Sequence, residues 1–254
     1  MRTLATFLLL TVYKFALTQL PADSTKDRGW SFHAQATGIW QYHPDFSANY
    51  TGKNSLQTSE PGQVSFTSTV FAGRKLWKQA TIYFNPEVAG GSGLSSATGV
   101  AGFPNGETFR IGSKQLKLYL ARLYLEQKIA IGSGTSWEPD DLNQVQQHTP
   151  ATYLSIRAGK FSIADFFDNN SYSHDPREQF MNWSLMSYGA WDYPANTRGY
   201  TIGAVVEYHT PGWAVRASMT QLPTYANGPT LDNQISKAHG LTVEGEKNIR
   251  INNR

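Results

Sequence analysis

The sequence predicts an all-β chain, a transmembrane antiparallel β-barrel, on three observations. First, residues 30–40 read WSFHAQATGIW. Even positions are apolar or small, odd positions are polar except Ile39, and a tryptophan stands at each end of the apolar row. Period 2 gives a strand whose two faces meet different solvents. Indole rings settle at both membrane–water interfaces, so paired tryptophans suit a lipid-facing strand. Second, seven more segments alternate in the same way. Third, their connections sort by length onto two sides, as short periplasmic turns and long outer loops do in outer-membrane barrels.

Composition fits. Charged residues are 16% and aromatics 13% of 254 residues, against roughly a quarter charged in soluble domains. No run of about 20 apolar residues follows the N-terminus, which argues against membrane-spanning helices. Cysteine is absent, which excludes disulfides and thiolate metal sites. Residues 1–18 read as an export signal: Arg2 is basic, residues 4–12 are mostly apolar, and Ala16-Leu17-Thr18 resembles a cleavage site. Residues 19–254 then form one domain. Removing Arg2 and Lys14 lowers the net charge from +3 to +1, so the basic pI says little about nucleic acid, and no such partner is expected.

The elements follow in order. After the first strand, Val64, Phe66, Val70 and Ala72 alternate with Gln63, Ser65, Thr67 and Thr69. A tight turn at 73–76 leads to Ala80, Ile82, Phe84 and Val88, with Thr81, Tyr83, Asn85 and Glu87 opposite. Next, Tyr119, Ala121, Leu123 and Leu125 form an apolar row against Leu120, Arg122, Tyr124 and Glu126. Leu154, Ile156 and Ala158 face away from Ser155 and Arg157. Tyr200, Ile202, Ala204, Val206 and Tyr208 face away from Thr201, Gly203, Val205, Glu207 and His209. The turn 209–212 leads to Trp213, Val215, Ala217 and Met219, opposite Arg216 and Ser218; Leu241 and Val243 close the series. The connections 43–62, 89–114, 163–198 and 223–237 are long and fall on one side. The connection 128–151 is long where a short one is expected. Phe180, Trp183 and Met186 recur at helical spacing after Asp175-Pro176, which predicts a short helix inside the 163–198 loop.

Chemistry-bearing motifs are scarce. The glycine-rich run 90–102 lacks the Gly-Lys-Ser/Thr ending of a phosphate loop. Histidines at 33, 43, 148, 174, 209 and 239 form no ligand pair. No Gly-x-Ser-x-Gly elbow occurs. No enzyme, metal or cofactor is expected. The polar faces are more telling. Arg122, Tyr124, Glu126, Arg157, Glu207 and Arg216 project to one side. A charge at mid-depth on a lipid face costs about 2–4 kcal/mol, so that side must meet a lumen. Guanidinium groups donate to hydroxyls, carboxylates accept from them, and aromatic faces stack on sugar rings. Together they suit a polyhydroxylated solute better than a bare ion.

Three segments resemble a known family: residues 158–170 (AGKFSIADFFDNN), 173–182 (SHDPREQFMN) and 191–203 (WDYPANTRGYTIG), with 101–107 (AGFPNGE) fitting too. They are similar to the carbohydrate-selective, OprB-like porins of Gram-negative outer membranes, over roughly residues 30–254. The resemblance implies a 16-stranded barrel with inward-folding loops, passing mono- or oligosaccharides by facilitated diffusion through outer-membrane lipid. A homo-oligomer stays open. Eight strands are half that barrel, so the chain reads as an N-terminal fragment. Lys160, Asp165, Asp168, Asp175 and Arg177 fall in or beside the inward loop; Asp165 and Arg177 join the pore-lining candidates, although Asp165 and Asp168 suit a bracing role equally. The alternatives are a general diffusion porin and a soluble or peripheral β-sandwich that binds glycans.

Overall fold

The computed structural model describes residues 9–16, 26–107, 114–187 and 191–249. Its strands are β1 (Leu9–Ala16), β2 (Trp30–Tyr42), β3 (Gln63–Trp77), β4 (Ala80–Gly91), β5 (Lys117–Ala130), β6 (Thr135–Glu138), β7 (Gln147–Pro150), β8 (Tyr153–Phe161), β9 (Thr201–His209), β10 (Trp213–Gln221) and β11 (His239–Lys247). Nine of them form one antiparallel sheet in the order β1-β2-β3-β4-β5-β8-β9-β10-β11; β6 and β7 pair separately. All eight predicted strands form. The expected export signal over 1–18 lies outside the described residues except for β1, which pairs with β2.

The closed transmembrane barrel that the sequence predicts does not form among the described residues. Closure requires the first and last strands to pair. Here β1 pairs with β2 alone and β11 with β10 alone among the described residues. With the barrel falls the passive diffusion pore, for sugars or in general, because an open sheet bounds a cleft and not a channel. No described helix is long and apolar enough to cross a membrane, which says nothing of strands.

The alternation itself is real and its faces are inverted relative to an ordinary soluble sheet. Trp30, Phe32, Trp213, Val215, Leu241 and Val243 are exposed. Their neighbours Ser31, Gln35, Thr37, Arg216, Ser218 and Thr220 are buried. What buries them is the chain's own connections, folded over the polar face. Residues 162–187 and 191–199 pack there; Ile163 and Phe167 join Tyr83, Tyr124, Phe161 and Val205 in a small core, and Phe166 packs against it. From the other end, the long 131–152 connection folds back over the same face. Its Val145 enters that core, and its β6–β7 hairpin is tied down where Gln79 donates to the His148 carbonyl at 2.9 Å.

Three local expectations change. Strand β3 continues through 73–76 to Trp77, with an irregularity at Lys75/Trp77, and the turn comes at 78–79. Gln79 takes φ 59° there. The register of β4 on β5 shifts between Asn85 and Pro86, which moves Tyr119 and Ala121 off the outward apolar row; Ala121 is fully buried while Leu118 is exposed. The helix expected at 178–186 is instead two separate turns, closed by Gln179 N–H to the Asp175 carbonyl (2.9 Å) and Met186 N–H to the Asn182 carbonyl (3.1 Å). Asn182 also accepts from the Ser184 N–H at 2.9 Å. Short polar side chains that bond nearby backbone favour such turns over helix interiors.

Candidate functional site

Between the polar face and its two covering segments lies a cleft of about 1210 Å³. All eight residues singled out in the sequence line it: Arg122, Tyr124, Glu126, Arg157, Asp165, Arg177, Glu207 and Arg216. The strands supply most of them because antiparallel register sets their partners side by side. Glu126 lies opposite Arg157, Glu207 opposite Arg216, and Arg216 opposite Glu244. Opposite charges on directly opposed positions attract, and with the diagonal contact of Arg157 and Glu207 between β8 and β9 they form a ladder of alternating sign across five strands.

The ladder is tightly bonded. Arg157 Nε donates to Glu126 at 2.8 Å and its Nη1 stands 3.6 Å from Glu207. Arg216 donates to Glu207 (2.9 Å), Glu244 (2.5 Å) and Glu246 (2.9 Å), and to the Phe166 carbonyl at 3.1 Å. The loop enters through a second clamp. Arg122 donates from Nε and Nη2 to the two carboxylate oxygens of Asp165, at 2.7 and 2.6 Å. This fork geometry fixes orientation as well as charge. Asp165 also accepts from the Ser162 N–H at 3.0 Å, within a capping box that starts the 3-10 turn Ile163–Asp165. Asp165 therefore braces the loop. Asp168 is buried and does the same: its carboxylate accepts from Asn170 at 2.8 Å, and its N–H donates to Glu244 at 2.7 Å.

A second cluster sits toward the long-loop end. Glu87 accepts from Thr69 at 2.5 Å, from Tyr200 at 3.2 Å and from the Tyr119 hydroxyl. The Arg122 guanidinium lies 5.3 Å from the Tyr200 ring centre, and that of Arg198 lies 3.8 Å from Tyr119. Arg177 in the loop is 3.1 Å from Glu107, which accepts from Thr67 at 2.7 Å. Burial pushes the Tyr200 phenol well above its ordinary value, Arg122 opposes this, and Glu87 adds to it; the group stays a neutral donor. Burial works against the Arg177 cation, but Glu107 and Asp175 outweigh it and hold its pKa above the ordinary value.

Sequence reasoning missed Tyr119, Tyr200 and Phe166. Alternation places Tyr119 and Tyr200 on outward rows; the shift at Pro86 turns the first inward, and the second precedes β9 and is buried. Proline inside a strand is the available sign of a bulge. Phe166 stacks edge-on with Tyr124, centroids 5.5 Å apart, and lies 4.9 Å from the Arg157 guanidinium. Nothing local marks it. Among the described residues no cluster of His, Cys, Asp or Glu could hold a metal.

No curated protein and no solved structure matches the chain. One family model does, that of the carbohydrate-selective porin, OprB family, over residues 53–253. The match spans β3 to β11 and every residue of the ladder, and it agrees with the motif resemblance at 101–107, 158–170, 173–182 and 191–203. The chain therefore belongs to the carbohydrate-selective porin, OprB family.

Proposed function

We propose that the cleft on the polar face binds a mono- or oligosaccharide, and that the chain works as a peripheral glycan-binding sheet at the outer membrane. Family membership links it in general terms to sugars and to the outer membrane, and the family's transporters do no covalent chemistry. The observation that carries the reading is the lining of the cleft, where guanidinium and carboxylate groups alternate beside Tyr124, Phe166, Trp183, Trp191, Tyr193 and Tyr200. Flat apolar surfaces interleaved with fixed donors and acceptors match the two faces of a sugar ring. A site of this kind orients its ligand with a few placed polar groups against an aromatic wall.

The exposed apolar face belongs against lipid. Contiguous apolar surface of this extent marks a place of contact. Among the described residues the edge strands β1 and β11 each have one unpaired side, which hydrocarbon does not satisfy, and the proposal therefore lays the sheet on the bilayer surface. An export signal over residues 1–18 is part of the same proposal; N-terminal sequencing of the mature chain is expected to start at Gln19. Calorimetric titration of the purified protein with glucose, maltose and maltotriose tests the reading. Saturable binding supports it, and heat no different from buffer dilution for all three rejects it.

A further inference from the structure

We propose that the cleft selects against anionic sugars, so that its ligands are uncharged or amino sugars; this rests on the saccharide reading above. Arginines in a binding cleft ordinarily invite carboxylates and phosphates. Here the charge of Arg122, Arg157, Arg177 and Arg216 is already met. Arg122 is clamped by Asp165. Arg157 lies between Glu126 and Glu207. Arg177 faces Glu107, Arg216 faces three glutamates, and Lys128 donates to Glu138 at 2.6 Å. Counting the described lining residues, nine carboxylates meet six cations.

Arg157 decides the matter. Its Nη1 is buried, makes no hydrogen bond and stands 3.6 Å from Glu207, while its Nε donates to Glu126, so its charge is spent on the carboxylates around it. A carboxylate entering the cleft beside Arg157 comes within reach of Glu126 and Glu207, which line it. Two like charges at that range, in a cleft partly walled from water, repel more strongly than at an open surface. An ammonium group meets the reverse field. The arginines of this cleft thus act as shaped donors held in place by their carboxylates, and the net field is that of the carboxylates.

The test is calorimetric titration of the whole chain with glucose, glucosamine and glucuronate at neutral pH. Glucuronate should bind at least about tenfold more weakly than glucose, and glucosamine at least as tightly as glucose. Raising the salt from about 20 mM to about 500 mM should narrow the gap between glucuronate and glucose, since screening weakens the repulsion. In Glu126→Gln the ratio of glucuronate to glucose affinity should rise. Glucuronate binding as tightly as glucose overturns the proposal while leaving saccharide binding intact. A preference against glucuronate that ignores salt also overturns it, because shape and not charge is then responsible. Silence from all three sugars overturns both this proposal and the saccharide reading.

Discussion

Arg157 holds two strands and one loop at a single point. It bonds Glu126 across β5–β8, faces Glu207 on β9 and covers the ring of Phe166. Its side chain is 11% exposed and that of Glu126 9%, so Arg157→Ala strands a buried carboxylate. Breaking one partner out of a buried pair costs about 3–5 kcal/mol, and urea unfolding should show a loss of that order. Asp165→Asn acts on the loop instead. It cuts the charge from the Arg122 clamp and should raise amide exchange through residues 162–170 while the strands stay protected. Asp27 sits outside the cleft and reports on pH. Slight burial raises its pKa, but hydrogen bonds from the His148 N–H and ring and from Lys75 hold it below the ordinary 3.8. Its carboxylate thus favours the folded state fully above pH 3.8, and that contribution is lost as pH falls through the lower folded value. Acid unfolding of wild type and Asp27→Asn should differ most above pH 3.8 and converge below it.

At the scale of the elements, period 2 was legible because each strand meets a different medium on each face. Trp30 and Trp40 mark the outward row of β2, and the loop lengths fix which ends of the strands share a side. What escaped was set by single backbone events. The irregularity beside Pro86 reverses the parity of one end of β5, and nothing in the alternation of 119–126 shows it. The turns in 175–186 likewise won over helical spacing because Asn182 and Asp175 bond their own backbone. Close approach between strands gives a further check. Gly159 has φ +139°, and a Cβ there would meet the Leu123 carbonyl at 2.3 Å and the Tyr124 Cα at 2.7 Å. Gly159→Val should therefore open the β5–β8 pairing and cost several kcal/mol, the mark of a strained backbone site. Thermal unfolding measures the loss. Spectra of the folded fraction should show the Tyr124 side of the cleft disturbed first.

For the whole molecule, a polar row set apart from the apolar one was readable in the sequence, and the six residues picked from it line the cleft, as do Asp165 and Arg177, which came from the loop motif. The closure of the sheet was not, because alternation describes each strand alone and says nothing about whether the first meets the last. The same limit explains why the covering role of residues 131–152 went unseen: Val145 is fully buried against Tyr83, a contact across distant parts of the chain. The resulting arrangement has an apolar outside and a polar, ion-paired inside. Its central claim is that the inside holds a sugar. Tryptophan fluorescence tests this most directly, because Trp183 and Trp191 line the cleft whereas Trp30, Trp77 and Trp213 point out of it. Titration with maltotriose should change the emission saturably, and the change should vanish in a Trp183→Phe, Trp191→Phe double variant that keeps its fold. No saturable change, or a change that survives in the double variant, would contradict saccharide binding in the cleft.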